Sequence, residues 1–206
     1  MIDWLLNQLS WETIAVAAAL AYVLLAAKEN IWCWFFALIS TAIYTLLFWN
    51  VSLLMESALN IYYLLMAVYG FSQWRKPDTK TCAGAETSRA IIHRWPIKYH
   101  LISIAGILIF SAVSGWLLSK YTAASLPYLD SLTTWAAVFT TWMVTRKVLE
   151  NWLYWIVIDA ISIYLYLSKD LYQTAILFIL YVGIAAYGWY TWHKKLQTQE
   201  FTRQNI

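Results

Sequence analysis

Apolar residues are gathered into seven long stretches, and short polar or charged segments separate each stretch from the next. A helix needs about 20 mostly apolar residues to cross a bilayer, within a tolerated range of about 17–25. The pattern therefore predicts seven transmembrane helices, at 11–27, 31–49, 53–74, 99–118, 128–145, 152–168 and 171–192. Pro77, Pro96 and Pro127 fall between these helices or at their edges, where a missing N–H costs little.

Composition supports a membrane protein. Of the 206 residues, 62% are hydrophobic and 12% are charged, and the mean hydropathy is +0.56. A soluble domain of this size would expose large apolar patches and aggregate, whereas a bilayer accepts such a surface. The 14 Trp and 15 Tyr also suit a membrane protein, but they exceed what two interfacial belts require.

The basic residues are distributed very unequally between the two sides that seven helices define. One side carries only Lys120 and Lys169. The other side carries Lys28, Arg75, Lys76, Lys80, Arg89, Arg94, Lys98, Arg146, Lys147, Lys194, Lys195 and Arg203. Because basic loops remain in the cytoplasm, we expect the C-terminus on the cytoplasmic side of the membrane and the N-terminus on the outer side.

The reactive side chains do not suggest redox or metal chemistry. Cys33 lies in an apolar stretch and Cys82 in a polar one, so no disulfide is expected. His93, His100 and His193 lack ligand spacing, and no metal site is predicted. We also expect no cofactor, no catalytic residue and no nucleic-acid partner.

Two short sequence motifs occur twice in the chain and indicate an internal duplication. The phrase Glu-Asn followed by Trp recurs at an offset of 121 residues, and Tyr-Gly followed by Trp recurs at 118. We therefore expect one short turn to differ by three residues between the copies, which aligns Asp159 with Leu38. The phrases are Glu29-Asn30…Trp34 with Glu150-Asn151…Trp155, and Tyr69-Gly70…Trp74 with Tyr187-Gly188…Trp192.

This duplication predicts two parallel three-helix bundles joined by a linking fourth helix. An odd number of helices per copy inverts the second copy, and one extra helix restores its direction. Transporters with parallel repeats bind their substrate between the repeats. The predicted division is a first bundle at 1–74, a connector at 75–98, a linking helix and outer loop at 99–127, a second bundle at 128–192 and a cytoplasmic tail at 193–206.

The sixth predicted helix carries the strongest candidate site. Trp152, Trp155, Asp159 and Ser162 share one helical face, with Asp159 near mid-membrane. A carboxylate at that depth is costly and normally faces a bundle interior or cavity. It either accepts a substrate's cationic or amino group or is protonated and hydrogen-bonded to a neighbouring helix. Trp152 is alternatively an interfacial belt residue.

Two other helices carry weaker candidates. Glu56, Asn60 and Tyr63 share a face of the third helix, and Gln173 and Tyr181 share a face of the seventh. Glu56 is alternatively solvated at the outer end, and Asn60 alternatively joins two helices. Stacked Trp and Tyr rings attract flat cationic rings by about 0.5–2 kcal/mol per contact. Together with Asp159 they predict a flat cationic heterocycle as ligand.

The chain resembles the Pnu vitamin transporters of bacteria in several motifs. They are Thr145-Arg146-Lys147, Glu150-Asn151-Trp152, Trp155 and the two Tyr-Gly…Trp endings. The resemblance implies the 3+1+3 helix arrangement of full-length SWEET transporters, a homotrimer and facilitated diffusion of a vitamin that a separate kinase then traps by phosphorylation. Members of the family carry nicotinamide riboside or thiamine.

Asp159 favours thiamine as the substrate, with nicotinamide riboside as the alternative. The riboside transporters tend to carry Asn at this position, and Asn offers a donor and an acceptor to a carboxamide, whereas a carboxylate only accepts. Proton coupling through Asp159 is a further alternative. A retinal photoreceptor is excluded because 171–192 contains no lysine, and a single mid-membrane acid argues against an enzyme.

Overall fold

Over the residues that the structure describes, the chain folds into seven α-helices, in the number and order that the hydropathy pattern predicts. The computed structural model describes residues 2–50, 54–76, 91–122, 126–168 and 172–204. The helices within these ranges are α1 (Ile2–Ala27), α2 (Cys33–Asn50), α3 (Leu54–Arg75), α4 (Ile97–Tyr121), α5 (Pro127–Thr145), α6 (Asn151–Leu167) and α7 (Tyr172–Gln204).

Two of the three prolines mark helix starts. Pro96 precedes α4, and Pro127 is the first residue of α5, where its fixed φ suits the helix and no N–H is needed. Pro77 lies outside the described residues. At the other end, α7 continues to Gln204, so most of the predicted tail extends this helix.

The surface of these helices is that of a membrane protein. On α4, Ile97, Leu101, Ile109 and Phe110 are 73%, 61%, 63% and 56% exposed. Such an apolar face would promote aggregation in water, whereas lipid accommodates it. In the described part of the chain, three segments span a membrane by length and hydropathy alone, and two shorter helices are apolar. The former are Cys33–Asn50, Ile97–Tyr121 and Thr174–Thr202, and the latter are Trp11–Ala27 and Asn151–Leu167.

The chain divides into two compact units, residues 1–91 and 92–206. Unit 1 contains α1–α3, with α2 packed on both neighbours, and unit 2 contains α4–α7, packed in chain order. The linking helix α4 thus belongs to unit 2. Gly115 permits this contact, because a Cβ there would lie 2.6 Å from Cδ1 of Tyr128. Trp135 of α5 stacks on Phe110 at 5.0 Å and donates its indole N–H to Ser114.

The loop between the first and second helix is the same in both copies. Glu29 after α1 and Lys147 after α5 are the two non-glycine residues with positive φ in the described chain, at 60° and 54°. Their N–H groups bond to Ala26 at 2.9 Å and to Val144 at 3.0 Å. The next residues bond five positions back, Asn30 to Leu25 and Val148 to Met143. Both helices therefore end in the same Schellman motif, 118 residues apart.

The predicted offset of 121 residues is consequently wrong. Glu150 precedes α6 in a right-handed conformation, with φ −66° and ψ −10°, whereas Glu29 is left-handed. The two Glu-Asn pairs therefore occupy different backbone positions in the two copies, and their identity does not define the register. In the register of 118 residues, Asp159 corresponds to Thr41 and not to Leu38.

A second feature repeats in this register, and we name it the glycine clasp. In each copy, an indole of the second helix lies against a glycine of the third helix and meets a second indole edge to face. The two pairs of rings have centroid distances of 5.3 and 5.5 Å and the same interplanar angle of 86°. The clasps consist of Trp34, Gly70 and Trp74, and of Trp152, Gly188 and Trp192.

Candidate functional site

Helix α6 buries one face against its neighbours. The buried residues are Asn151, Trp152, Ile158, Asp159, Ser162 and Leu165. Separations of seven residues, from Trp152 to Asp159, and of three, from Asp159 to Ser162 and from Ser162 to Leu165, follow the helical period, so these residues share one face. The helix therefore aligns the predicted candidates Asp159 and Ser162 with the apolar interior of unit 2.

Asp159 is the most unusual member of this face. The residue is 4% exposed, and its neighbours on the face, Ile158 and Leu165, are apolar. Among the described residues, no side chain forms a hydrogen bond or an ion pair with its carboxylate. A buried carboxylate is costly without a partner, and a cationic or N–H-rich ligand would supply one.

The two predicted tryptophans of α6 have different surroundings. Trp152 is 2% exposed and forms the second glycine clasp, so its ring is used in packing α6 on α7. Trp155 is only partly buried and retains accessible ring surface. Trp155 is thus better placed than Trp152 to stack on a ligand.

The candidates of α7 and of unit 1 are only partly described. Tyr181 is half-buried and packs edge to face on Phe178 at 5.6 Å. In unit 1, Asn60 and Tyr63 are half-buried on α3. Tyr63 and Tyr181 are 118 residues apart and thus occupy the same position in the two copies. The side chains of Glu56 and Gln173 lie outside the described residues.

Several buried polar atoms were not predicted from the sequence. Trp34 Nε1 and Trp152 Nε1, equivalent atoms of the two clasps, are buried without a hydrogen-bond partner within the described residues. Thr140 Oγ1 of α5 and Asn151 Oδ1 of α6 share this property. The register of 118 residues pairs Thr140 with Tyr22, whose ring lies 5.9 Å from Trp34. Thr140 is smaller than its counterpart Tyr22, so the two copies differ at this position. The offset of 121 residues does not align these two residues.

The histidines gather at one end of unit 2, which is a further feature that spacing did not reveal. His93 forms an isolated parallel bridge with Val148 of the α5–α6 loop. His100 Nδ1 lies 3.0 Å from the Tyr154 hydroxyl, and its Nε2 lies 4.0 Å from Glu150. His193 Nδ1 lies 2.9 Å from the Arg94 guanidinium. These contacts hold the start of α4 against α6 and α7.

The chain is similar over nearly its whole length to known bacterial transporters. It is 22% identical over 204 residues to the nicotinamide riboside transporter PnuC of Escherichia coli K12, covering 89% of this chain and 85% of the relative. It is 24% identical over 202 residues to PnuC of Neisseria mucosa, covering 94% and 76%. It is 26% identical over 189 residues to PnuC of Haemophilus influenzae, covering 90% and 80%.

The fold is similar to that of a solved transporter. A crystal structure of the vitamin B3 transporter PnuC superimposes with a TM-score of 0.71 at 22% identity, covering 96% of this chain and 86% of the other. The family model described as nicotinamide mononucleotide transporter matches residues 9–194. This match includes all of α2–α6 and most of α1 and α7. The chain therefore belongs to the nicotinamide mononucleotide transporter family.

Proposed function

We propose that this chain carries nicotinamide riboside across the bacterial inner membrane by facilitated diffusion. The observation that carries the proposal is the buried Asp159 carboxylate, which has no cationic partner among the described residues. Nicotinamide riboside has a positively charged pyridinium ring and a carboxamide, and both suit a carboxylate in a low-dielectric site. The names of the relatives point to the same substrate.

In this proposal, α6 supplies the principal contacts. Asp159 accepts a hydrogen bond from the carboxamide NH₂ and compensates the ring charge, Trp155 stacks on the pyridinium, and Ser162 bonds to a polar substituent. Trp152 positions α6 through its clasp. Tyr181 of α7 supplies a supporting contact.

Transport in this proposal requires alternation between outward-open and inward-open states. The glycine clasps support movement of α2 with α3 and of α6 with α7 as rigid pairs, because neither indole can be displaced without opening a buried contact. We further propose a homotrimer, a cytoplasmic C-terminus and trapping of the vitamin by phosphorylation, and no coupling to protons.

Thiamine is the second candidate, and Asp159 is the observation that favours it. Asp159 taken alone favours thiamine over nicotinamide riboside, but the relatives are named for nicotinamide riboside and do not support that order. Thiamine also presents a ring cation and an exocyclic amine, so the carboxylate alone does not separate the two ligands.

Titration calorimetry of the purified protein with each vitamin separates them. We expect nicotinamide riboside to bind more tightly than thiamine. Asp159→Asn should weaken riboside binding, but by less than Asp159→Leu, because an amide still accepts from a carboxamide although it no longer compensates the ring charge. Asp159→Leu should weaken it by about 10–150-fold, since one buried polar contact to a charged group is lost.

The matched control is Tyr164→Phe on the same helix, where the native side chain is 61% exposed. Its affinity for both vitamins should equal that of the native chain. Tighter binding of thiamine, with a sharp loss in Asp159→Asn, would replace nicotinamide riboside as the substrate. Unchanged riboside affinity in Asp159→Leu would remove Asp159 from the site.

A further inference from the structure

The two copies of the repeat differ in one position between their first and second helices. In unit 1, the ring of Tyr22 on α1 lies 5.9 Å from the ring of Trp34 on α2. The Tyr22 hydroxyl also lies within electrostatic range of Cys33 on α2 and of Tyr63 on α3. In unit 1, a tyrosine therefore packs among these three side chains.

The same position of unit 2 carries a much smaller side chain. In the register of 118 residues, which the two Schellman motifs define, Thr140 of α5 corresponds to Tyr22. The three neighbours of Tyr22 correspond to Asn151, Trp152 and Tyr181. Because the loop and the glycine clasp are the same in both copies, we expect Thr140 to face these three side chains. Unit 2 thus has a short hydroxyl side chain where unit 1 has an aromatic ring.

Three polar atoms of this region are buried without a hydrogen-bond partner among the described residues. They are Thr140 Oγ1, Asn151 Oδ1 and Trp152 Nε1. Thr140 and Asn151 are 0% exposed, and Trp152 is 2% exposed. The amide of Asn151 donates from Nδ2 to the Val148 carbonyl at 2.6 Å, which leaves its Oδ1 as the acceptor without a partner. Such atoms are costly in an apolar core, so three of them at one level indicate a polar ligand.

The three atoms are complementary to a hydroxyl group. The indole N–H of Trp152 only donates, the amide oxygen of Asn151 only accepts, and the Thr140 hydroxyl does both. A ligand hydroxyl can accept from the indole and donate to the amide oxygen. A carboxylate or phosphate could not donate to that oxygen, and an ammonium group could not accept from the indole. A hydroxyl group is therefore the ligand chemistry that this set fits best.

The level of this set on α6 suits one end of a riboside. Trp152 and Asp159 share a buried face, and the seven residues between them correspond to a rise of about 10 Å at 1.5 Å per residue. In the proposed function, Asp159 accepts from the carboxamide and Trp155 stacks on the pyridinium ring. The ribose is attached to the far side of that ring, so its hydroxyl groups point away from Asp159 and along α6.

We propose that Thr140, Asn151 and Trp152 form a subsite between α5 and α6 that binds the ribose hydroxyl groups of the transported molecule. The proposal rests on the proposed function for the identity of the ligand, and it adds Thr140 and Asn151 to the residues that determine specificity. The subsite exists in the second copy alone, because Tyr22 replaces the threonine and Cys33 replaces the asparagine in the first.

Titration calorimetry with two ligands tests this subsite. Nicotinamide riboside carries the ribose, whereas 1-methylnicotinamide has the same charged ring and carboxamide without it. The native chain should bind the riboside more tightly. Thr140→Val removes the hydroxyl at nearly constant shape and should weaken riboside binding about 3–10-fold, the value of one hydrogen bond, without changing the affinity for 1-methylnicotinamide.

The matched control is Thr141→Val on the same helix. Thr141 is also buried, but its hydroxyl donates to the Ala137 carbonyl at 2.8 Å, so its loss should not change the affinity for either ligand. Thr140→Ser keeps a hydroxyl and should retain riboside affinity within about twofold. Thr140→Tyr introduces the side chain of the first copy and should abolish riboside binding while the protein still elutes as a folded species in size exclusion.

Two results would overturn the subsite. Unchanged riboside affinity in Thr140→Val and Thr140→Tyr would show that bound water alone satisfies these atoms. Equal losses for both ligands in Thr140→Val would show a general effect on packing. If Thr140→Val does not fold, Thr140→Ser and Thr140→Tyr decide by the same comparison. Failure of the native chain to bind the riboside would instead contradict the proposed function, and with it the identity of this ligand.

Discussion

The glycine clasp makes a sharp prediction about stability, because one added methyl group cannot be accommodated. In Gly188→Ala, the new Cβ would lie 2.6 Å from both Cδ2 and Cε3 of Trp152 and 2.7 Å from Cε2. Trp152 has no space to move, since it is 2% exposed and meets Trp192 on its other side. Overpacking of this kind costs about 1–3 kcal/mol, and α6 must shift away from α7.

The chain provides a matched control on the same helix. A Cβ at Gly183 would meet nothing within 4 Å. Gly183→Ala should therefore stabilise α7 by up to about 1 kcal/mol through helix propensity. Because both variants gain this propensity, they should differ by the overpacking cost of about 1–3 kcal/mol in the free energy of unfolding. For a chain of this length, that difference corresponds to about 2–12 °C in Tm.

Thermal unfolding of both variants in detergent, followed by tryptophan fluorescence and by size exclusion, measures this difference. The double variant Gly188→Ala with Trp152→Phe removes the fused ring that carries the clash. It should be more stable than the sum of the two single changes predicts. Equal Tm values for Gly188→Ala and Gly183→Ala, or strictly additive effects in the double variant, would refute the clasp.

Two further predictions concern the repeated loop and the orientation. Glu29→Gly should raise the free energy of unfolding by about 1 kcal/mol, because glycine adopts the positive φ of 60° without strain; a lower Tm would contradict this. In a Cys82→Ser background, Lys120→Cys should react with an impermeant maleimide in intact cells, whereas Lys194→Cys should react only after lysis. The reverse labelling would invert the predicted topology.

The sequence predicts the seven helices well, because each apolar stretch is long and its ends carry charges or proline. The helix ends agree with the predicted spans within three residues, except at the start of α1 and the end of α7. The parts of α4 and α7 that extend beyond the predicted spans contain polar residues such as Lys98 and Gln197. These residues are compatible with a helix, but they lower the hydropathy, so the pattern does not include them in a span.

Residue identity offered two registers for the repeat, 121 and 118 residues, and did not decide between them for the second helix of each copy. Glu-Asn is a two-residue match, whereas the equivalence of Glu29 with Lys147 rests on φ angles and hydrogen bonds that no similarity of side chains reveals. The two Trp–Gly contacts were also not predicted, because Trp34 corresponds to Trp152 only in the register of 118 residues.

For the candidate site, the sequence predicted the buried polar residues Asp159 and Ser162 of α6, but not the burial of Asn151 or the role of each aromatic ring. Because a charge in lipid is costly, an Asp within an apolar span is predicted to be buried in the protein, and Asp159 is buried in the structure. Trp152 and Trp155 lie on neighbouring turns and look alike in sequence. The structure distinguishes them, because the ring of Trp152 packs directly against Gly188 of α7.

Substrate uptake by the purified protein in proteoliposomes tests the central claim most directly. Labelled nicotinamide riboside should equilibrate with the internal volume, unlabelled riboside should compete for uptake, and an imposed pH gradient should not change the final level. Uptake of labelled thiamine without uptake of nicotinamide riboside would contradict the proposed substrate. Accumulation of riboside above equilibrium only under a pH gradient would contradict facilitated diffusion.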